Sequence, residues 1–207
     1  GRMKPVDSTA KDKIMRRKFN EITDEKTIEE ILLRCRIGRL ATTGNDGYPY
    51  ITPVNYVYLH GAIYFHSARQ GEKLDNLQRD PKVCFAVDRP LAYLDTAYDK
   101  SLPVCDVGQF YQSVVIRGRA EIVEDAVEKV AALNALMACH ENIPDFAEIT
   151  AATPAVALCT VVAVRVEHIS GKANLGQKKP AADKEKICAY LRQRGLPGDR
   201  EAADLIG

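Results

Sequence analysis

The sequence contains no apolar run that approaches the roughly 20 residues needed to span a bilayer, so no transmembrane helix is expected. An excess of one charge is also missing: 29 basic and 28 acidic residues leave a formal net charge of +1 over 207 residues. That balance offers no electrostatic basis for binding nucleic acid or a membrane surface. The polar, basic start of the chain lacks the apolar stretch of a signal peptide, so none is expected.

Several motifs that would identify an enzyme class are missing as well. The sequence has no C-x-x-C pair, no G-x-G-x-x-G fingerprint, no Walker loop and no readable Ser-His-Asp or Cys-His arrangement. Clustered Cys and His at the spacing of a zinc site are missing too, so no metal is expected. The six cysteines have mostly apolar neighbours, which predicts buried, reduced thiols in a cytoplasmic protein.

Strand signals dominate after a first predicted helix at residues 23–35, which Thr23 would cap. Pro49 and Pro53 interrupt the second strand, which must therefore lie at a sheet edge or contain a bulge. Gly118 marks a bulge or a close approach in the fifth strand. The six predicted strands cover residues 38–42, 48–58, 62–67, 82–87, 113–123 and 155–169.

Further helices are predicted at residues 71–80, 125–140 and 183–194, and residues 88–107 have an irregular pattern. Strands at short spacing with few helices between them argue against a parallel βαβ sheet. The sequence therefore predicts a mostly β fold, an antiparallel barrel with peripheral helices.

The segment at residues 63–77 carries the clearest chemical signal. A strand ends at Ser67, and a glycine-containing turn then opens a helix with Lys73 in its first turn. Unpaired N–H groups at a helix N-terminus, a hydroxyl and a lysine suit a phosphate dianion, and Arg69 is a second cation in the turn. From spacing alone, a solvated surface lysine remains the commoner explanation.

Several stretches, in order, resemble the pyridoxamine 5′-phosphate oxidase superfamily, and most of all its branch of 5-nitroimidazole resistance (Nim-type) proteins. The matching stretches are residues 37–42, 46–56, 63–77, 80–85, 113–120 and 168–172. The resemblance divides the chain into a flexible N-terminal segment at 1–18, a barrel domain at 19–172, and a linker with an accessory helix at 173–207.

This resemblance implies a six-stranded antiparallel split β-barrel of the FMN-binding type, which forms a homodimer with FMN sites at the interface. The flavin ring would lie against the second strand, the phosphate at the end of the third strand, and the other subunit would contribute from the fifth-strand region. Lys172 is expected just after the last strand. The implied cofactor-binding residues are Arg39, Thr52, Pro53, Val54, Asn55, Phe65, His66, Ser67, Ala68, Lys73, Asn76, Gln112, Ser113 and Lys172.

The predicted function is an FMN-dependent oxidoreductase that acts on a small molecule, with a nitro compound as one candidate and NAD(P)H as donor. No catalytic residue is assigned beyond the candidate His66, for which a surface histidine is the alternative. A non-catalytic flavin-binding or redox-sensing module, a haem-binding relative and a deazaflavin cofactor remain alternatives. Oxidation of pyridoxamine phosphate itself is disfavoured, because the C-terminus lacks that branch's Arg-Leu-x-Pro pattern.

Overall fold

The computed structural model describes residues 17–101, 103, 106–143 and 145–207. Most of the N-terminal segment 1–18 lies outside the described residues, as do Cys105 and two other positions of the stretch 88–107. The described chain divides into two compact units. The first unit comprises Leu32–Val87 and Val115–Ile169, and the second comprises residues 17–31, Asp88–Val114 and Ser170–Gly207. The predicted division at residues 19 and 172 stays a prediction.

Eight strands and six α-helices are present in the described residues. The strands are β1 Glu21–Ile22, β2 Ile37–Thr43, β3 Pro49–Asn55, β4 Val57–Leu59, β5 Ala62–Ser67, β6 Lys82–Leu94, β7 Gly108–Ile122 and β8 Thr160–Asn174. The helices are α1 Glu25–Arg34, α2 Glu72–Arg79, α3 Ala126–His140, α4 Pro154–Leu158, α5 Ala181–Arg194 and α6 Asp199–Ile206. None of the helices in these ranges has the length and apolarity needed to cross a membrane.

The strands form one sheet in the order β3-β2-β6-β7-β8-β5-β4, and β1 pairs with β8. Every pairing with a defined register is antiparallel. Because only Tyr56 separates β3 from β4, the two ends of this order are joined through a single residue. The predicted edge position of β3 is confirmed, and so is the antiparallel split barrel with peripheral helices, although eight strands replace the predicted six.

Tyr56 divides the predicted second strand into β3 and β4. Its ring is buried, and its hydroxyl donates to the Leu32 carbonyl at 2.6 Å. Burial raises the pKa of this hydroxyl. The Tyr56 carbonyl contacts His140 Nε2 at 2.8 Å, so this residue is held by its side chain and by a histidine at the end of α3.

The start of the predicted sixth strand is wrong. Residues 154–158 form α4, because Pro154 has the fixed φ of a first helical residue and no N–H that needs a partner. The strand that follows, β8, continues to Asn174. Lys172 therefore lies inside β8, opposite Glu21 of β1, and not after the last strand as predicted.

The predicted fourth strand is too short, because β6 continues through Pro90 to Leu94. The ladder between β6 and β2 covers only Cys84 to Ala86. Pro90 lies beyond it, so its missing N–H costs no hydrogen bond to β2. The fifth strand is also longer than predicted, and it contains the expected close approach: a Cβ at Gly118 would lie 2.1 Å from the Arg165 carbonyl oxygen.

The first three predicted helices are present with small differences. Asp24, not Thr23, caps α1, because its carboxylate accepts hydrogen bonds from the backbone N–H and the hydroxyl of Thr27. Asp125 caps α3 in the same way through Glu128 N–H at 2.7 Å. Val127 of α3 is exposed, and the buried face of this helix is formed by Ala132, Leu133 and Leu136.

The prediction of buried cysteines is wrong at four of the five described positions. Only Cys188 is buried, whereas Cys35, Cys84, Cys139 and Cys159 are partly exposed. In β6, residues Val83 and Phe85 are buried while Cys84 between them is not. Successive side chains of a strand face opposite sides, so apolar neighbours in sequence do not place a cysteine in the core.

Each unit has its own apolar core. In the first unit, α3 and α4 pack on β4, β5 and β8 through Leu133, Leu136 and Val156. In the second unit, α5 and α6 pack on β6 and β7 through residues that include Leu191 and Ile206. Helix α5 ends at Arg194 as predicted, with Gly195 as its C-cap, whereas α6 lies in a region where only one helix was predicted.

Ion pairs of the second unit hold α5, α6 and β6 together. Arg194 donates to Asp95 Oδ2 at 2.5 Å and to both carboxylate oxygens of Asp199 at 2.6 and 2.9 Å. Tyr190 donates to the other oxygen of Asp95 at 2.7 Å. Arg194 and the Leu196 N–H lower the pKa of Asp199, and Tyr190 and Arg194 lower that of Asp95.

Candidate active site

The hairpin of β2 and β3 carries the residues predicted to face the flavin ring. Its register places Arg39 opposite Pro53 and Leu40 opposite Thr52. Thr52 Oγ1 is buried and has no hydrogen-bond partner among the described residues. A buried hydroxyl without a partner loses its hydrogen bonds to water and gains none in the protein. Such groups are uncommon in folded proteins. This side chain therefore fits a site that a polar ligand completes.

The neighbouring residues of β3 differ in what they can offer a ligand. Pro53 has no N–H, Val54 is buried in the core, and Asn55 is exposed at the end of the strand opposite Ile37. The edge position leaves one side of β3 without a neighbour in the strand order. Backbone groups on that side, together with Asn55, are the donors and acceptors that this strand can present.

The predicted phosphate turn lies between β5 and α2. Phe65 is fully buried, so only its backbone can contact a ligand, while His66 is exposed. Ser67 is buried, and its hydroxyl donates to the Ala68 carbonyl at 2.9 Å. Since a hydroxyl can rotate to a stronger acceptor, this arrangement allows Ser67 to donate to a phosphate oxygen.

The N-terminus of α2 is uncapped. Gly71 precedes it with a φ of 138°, a conformation that favours glycine, and no side chain caps the first N–H groups. The first turn contains Lys73, which is partly exposed, and the exposed acidic residues Glu72 and Asp75. The positive charge available to a phosphate here comes from Lys73 and from the helix N–H groups.

Arg69, the second predicted cation of the turn, is engaged elsewhere. Its Nη2 donates to the Ala157 carbonyl in α4 at 2.6 Å. This bond ties the turn to the helix that precedes β8. Arg69 is therefore positioned as a support for the turn rather than as a free cation.

Asn76 links α2 to the hairpin. Its amide nitrogen donates to Thr42 Oγ1 at 3.0 Å, and its oxygen accepts from Arg79 at 2.8 Å. Arg79 also donates to the Thr43 carbonyl at 2.5 Å. Asn76 is only 1% exposed, so its amide serves mainly to fix the phosphate turn relative to β2 and β3. The links through Thr42 and Arg79 were not predicted.

The remaining predicted residues lie in the second unit. Ser113 Oγ donates to the Lys172 carbonyl at 3.4 Å, and Lys172 Nζ lies 5.7 Å from the centroid of the Tyr111 ring. Gln112 is buried, and its amide oxygen accepts from Arg89 at 2.6 Å. The structure thus groups Gln112, Ser113 and Lys172 on β7 and β8.

The family of the chain follows from a comparison with known proteins. A family model described as pyridoxamine 5′-phosphate oxidase matches residues 24–173. The chain belongs to this family. The resemblance stated from the sequence is confirmed, and it covers both the hairpin and the phosphate turn.

Solved structures support the same fold. The chain is 29% identical to a candidate 5-nitroimidazole antibiotic resistance protein from Bacteroides thetaiotaomicron, with a TM-score of 0.63 over 74% of this chain and 86% of that chain. Among curated proteins, no sequence matches this family member significantly.

Two more distant structures share the fold alone. The flavocytochrome Anf3 from Azotobacter vinelandii has 17% identity and a TM-score of 0.62, over 78% of this chain and 72% of that chain. An FAD- and haem-binding protein from Mycobacterium smegmatis has 16% identity and a TM-score of 0.65, over 82% of this chain and 80% of that chain. Within the described ranges, no three His, Cys, Asp or Glu side chains come together as a metal site would require.

Proposed function

We propose that this protein binds FMN as a homodimer and uses it as an oxidoreductase that acts on a small molecule. The observation that carries the proposal is the buried hydroxyl of Thr52, which has no partner among the described residues. It lies on the strand where the family resemblance puts the flavin ring. The ring has carbonyl and nitrogen groups along its polar edge, and one of these supplies the missing partner.

The phosphate turn supports FMN as the flavin. Ser67, Lys73 and the uncapped N–H groups of α2 offer a hydroxyl, a cation and a partial positive charge within one segment. A terminal phosphate dianion needs all three, whereas riboflavin would use none of them. FAD, which three distant structural neighbours bind, carries a diphosphate and an adenosine in place of the terminal phosphate.

The outer face of the hairpin supports a homodimer. Ile37 is 55% exposed and Ile51 61% exposed, and Tyr48 at the hairpin turn is exposed as well. Exposed apolar side chains grouped on a hairpin that ends in an edge strand favour association with another protein surface. In the proposed dimer, the hairpin and phosphate turn of one subunit complete their site with Gln112 and Ser113 of the other.

When bound, the flavin supplies hydride or single-electron transfer. The chain binds and orients it: Thr52 and Asn55 at the ring edge, Ser67 and Lys73 at the phosphate. His66, exposed at the end of β5, is the candidate for donating a proton near this site. NAD(P)H is the proposed electron donor; since the sequence has no dinucleotide fingerprint, it would bind only transiently.

The proposal is tested by titrating the apo-protein with FMN, FAD and riboflavin while flavin fluorescence is followed. We expect FMN to bind more tightly than riboflavin, because riboflavin lacks the phosphate. Equal affinity for the two would contradict the phosphate assignment. Tighter binding of FAD would change the cofactor while leaving the flavin site in place.

The catalytic half of the proposal needs a separate measurement. NADH or NADPH oxidation is followed with a panel of acceptors that includes nitroaromatic compounds. Turnover above that of free FMN is expected. A protein that binds FMN but shows no turnover with any donor would be a flavin-binding module, and a Soret band in the purified protein would indicate haem.

A further inference from the structure

We propose that Glu201, on the C-terminal helix α6, is a positioning residue that orients Gln112 for the flavin through Arg89. The inference rests on the proposed function, since it assigns Gln112 to the flavin site. It gives the helical hairpin of α5 and α6 a role beyond covering the sheet. All three residues belong to the second unit.

The three side chains form a continuous series. Arg89 of β6 donates through Nη1 to Gln112 Oε1 at 2.6 Å and through Nη2 to Glu201 Oε1. The Arg89 side chain is 14% exposed and Gln112 is 4% exposed, so the contact between them is largely removed from water. Glu201 is the member of the series that reaches solvent.

The series determines which end of the Gln112 amide faces a ligand. A guanidinium has donors only, so the amide oxygen of Gln112 must point to Arg89. The NH₂ group is then the end that can donate outward. The flavin's carbonyl oxygens and unprotonated ring nitrogens are acceptors that this NH₂ group can meet, whereas a flipped amide would present its oxygen and could meet only the ring N–H.

Glu201 holds the guanidinium in the plane that Gln112 requires. An arginine paired with a carboxylate on one nitrogen and an amide on another has little freedom to rotate. Without the carboxylate, Arg89 can turn toward other acceptors, and the amide loses its fixed orientation. Outer partners of this kind commonly tune the residues that contact a cofactor.

Helix α6 has anchors besides Glu201. Ala202, Ala203 and Ile206 bury the inner face of the helix, and Asp199 ties its first turn to Arg194. Asp204 of α6 forms an exposed ion pair with Arg192 of α5 at 3.0 Å. This ion pair includes neither Arg89 nor Gln112. Loss of Glu201 should therefore change flavin binding more than folding.

The experiment compares Glu201→Ala with Asp204→Ala as the matched control. For each, the Kd for FMN is measured on the apo-dimer, and the thermal midpoint is measured without flavin. We expect Glu201→Ala to weaken FMN binding by about threefold to tenfold, the effect of one misplaced hydrogen bond. Asp204→Ala should leave the Kd for FMN unchanged. Its thermal midpoint should shift by about as much as that of Glu201→Ala.

Two further variants separate orientation from stability. Glu201→Gln keeps an oxygen that accepts from Arg89, so it should recover most of the affinity. The double variant Glu201→Ala, Gln112→Ala should bind FMN no more weakly than Gln112→Ala alone, because both changes act on one contact. If Glu201→Ala does not fold, Glu201→Gln and Arg89→Lys are compared in its place. Arg89→Lys should weaken FMN binding, because a lysine cannot contact Gln112 and Glu201 with the fixed geometry of a guanidinium.

The outcomes distinguish this inference from the function on which it rests. If the unmodified protein binds no flavin, the proposed function and this inference both fail. If it binds FMN and Glu201→Ala has the same Kd, or if the two alanine effects are additive, the proposed function stands and the positioning role is wrong.

Discussion

Helix α2 of the first unit and helices α5 and α6 of the second unit are held to the sheet with different chemistry. In the first unit, the short helix α2 is tied to the hairpin by a neutral amide, a threonine hydroxyl and one arginine. In the second unit, α5 and α6 are held by a charged network in which Arg194 pairs with Asp95 and Asp199. Asp199 is only 1% exposed and makes three hydrogen bonds.

The difference separates this charged network, which is structural, from the β2–β3 hairpin and the phosphate turn of the first unit, which a ligand can complete. The charged network of the second unit is internally matched, so it stabilises the fold and presents nothing to a ligand. Among the described residues, the first unit contains the buried Thr52 hydroxyl without a partner and the helix α2 without a side-chain cap. Polar groups left unmatched in this way cost stability until a ligand binds.

The largest effect is expected at Arg194. Replacing it with methionine leaves the buried carboxylate of Asp199 without its cation, which should lower the free energy of unfolding by about 3–5 kcal/mol. Urea unfolding measures it. The control is Arg192→Met, whose partner Asp204 is exposed and which should change stability by no more than about 0.5 kcal/mol. Equal losses in the two variants would contradict the structural role assigned to the charged network.

Lys73→Ala tests the phosphate turn. It should weaken FMN binding by about 1–3 kcal/mol, because a charge-assisted contact to the phosphate is lost. Its effect on riboflavin binding should be small, since riboflavin has no phosphate. The control is Lys26→Ala on α1, because Lys26 is more exposed than Lys73. Unchanged FMN affinity in Lys73→Ala would place the phosphate elsewhere.

Two threonines of the hairpin should respond with opposite signs. Thr42→Val removes the hydroxyl that accepts from Asn76, so stability should fall by about 1–2 kcal/mol. Thr52→Val removes a hydroxyl without a partner, so the flavin-free protein should gain up to about 1 kcal/mol while FMN binds more weakly. Thermal unfolding of the apo-protein and flavin titration measure these. A loss of apo stability in Thr52→Val would show that this hydroxyl is already matched.

The smallest effect is expected in the pH dependence of stability at Asp95. Tyr190 and Arg194 hold the pKa of Asp95 below its ordinary value, so its contribution to stability is present above that value and is lost as pH falls through the lowered one. Because Asp95 is partly exposed, solvent screens the contribution. Asp95→Asn should lose less stability than the unmodified protein between about pH 6 and about pH 3. Urea unfolding at the two pH values measures the loss, and an equal loss in Asp95→Asn and in the unmodified protein would contradict this.

Much of the phosphate turn could be predicted because its signals are local. The β-favouring run at residues 62–67 and the apolar spacing of residues 71–80 place Ser67 at a strand end and Lys73 in a first helical turn, as the structure has them. The helix α6 could not be predicted in this way. It is short, and its burial depends on Leu91, Ala92 and Leu94 of a distant strand.

Local chemistry along the chain therefore determined where strands and helices begin: prolines at Pro49 and Pro154, an aspartate cap at Asp125 and a run of strand-favouring residues in β5. The tertiary structure alone decided that Tyr56 joins the two ends of the sheet, that Cys84 is not in the core, and that Arg89 meets both Gln112 and Glu201. The reason is distance along the chain. A backbone preference acts on near neighbours, whereas Arg89 finds its partners 23 and 112 residues away, and only packing brings such side chains together.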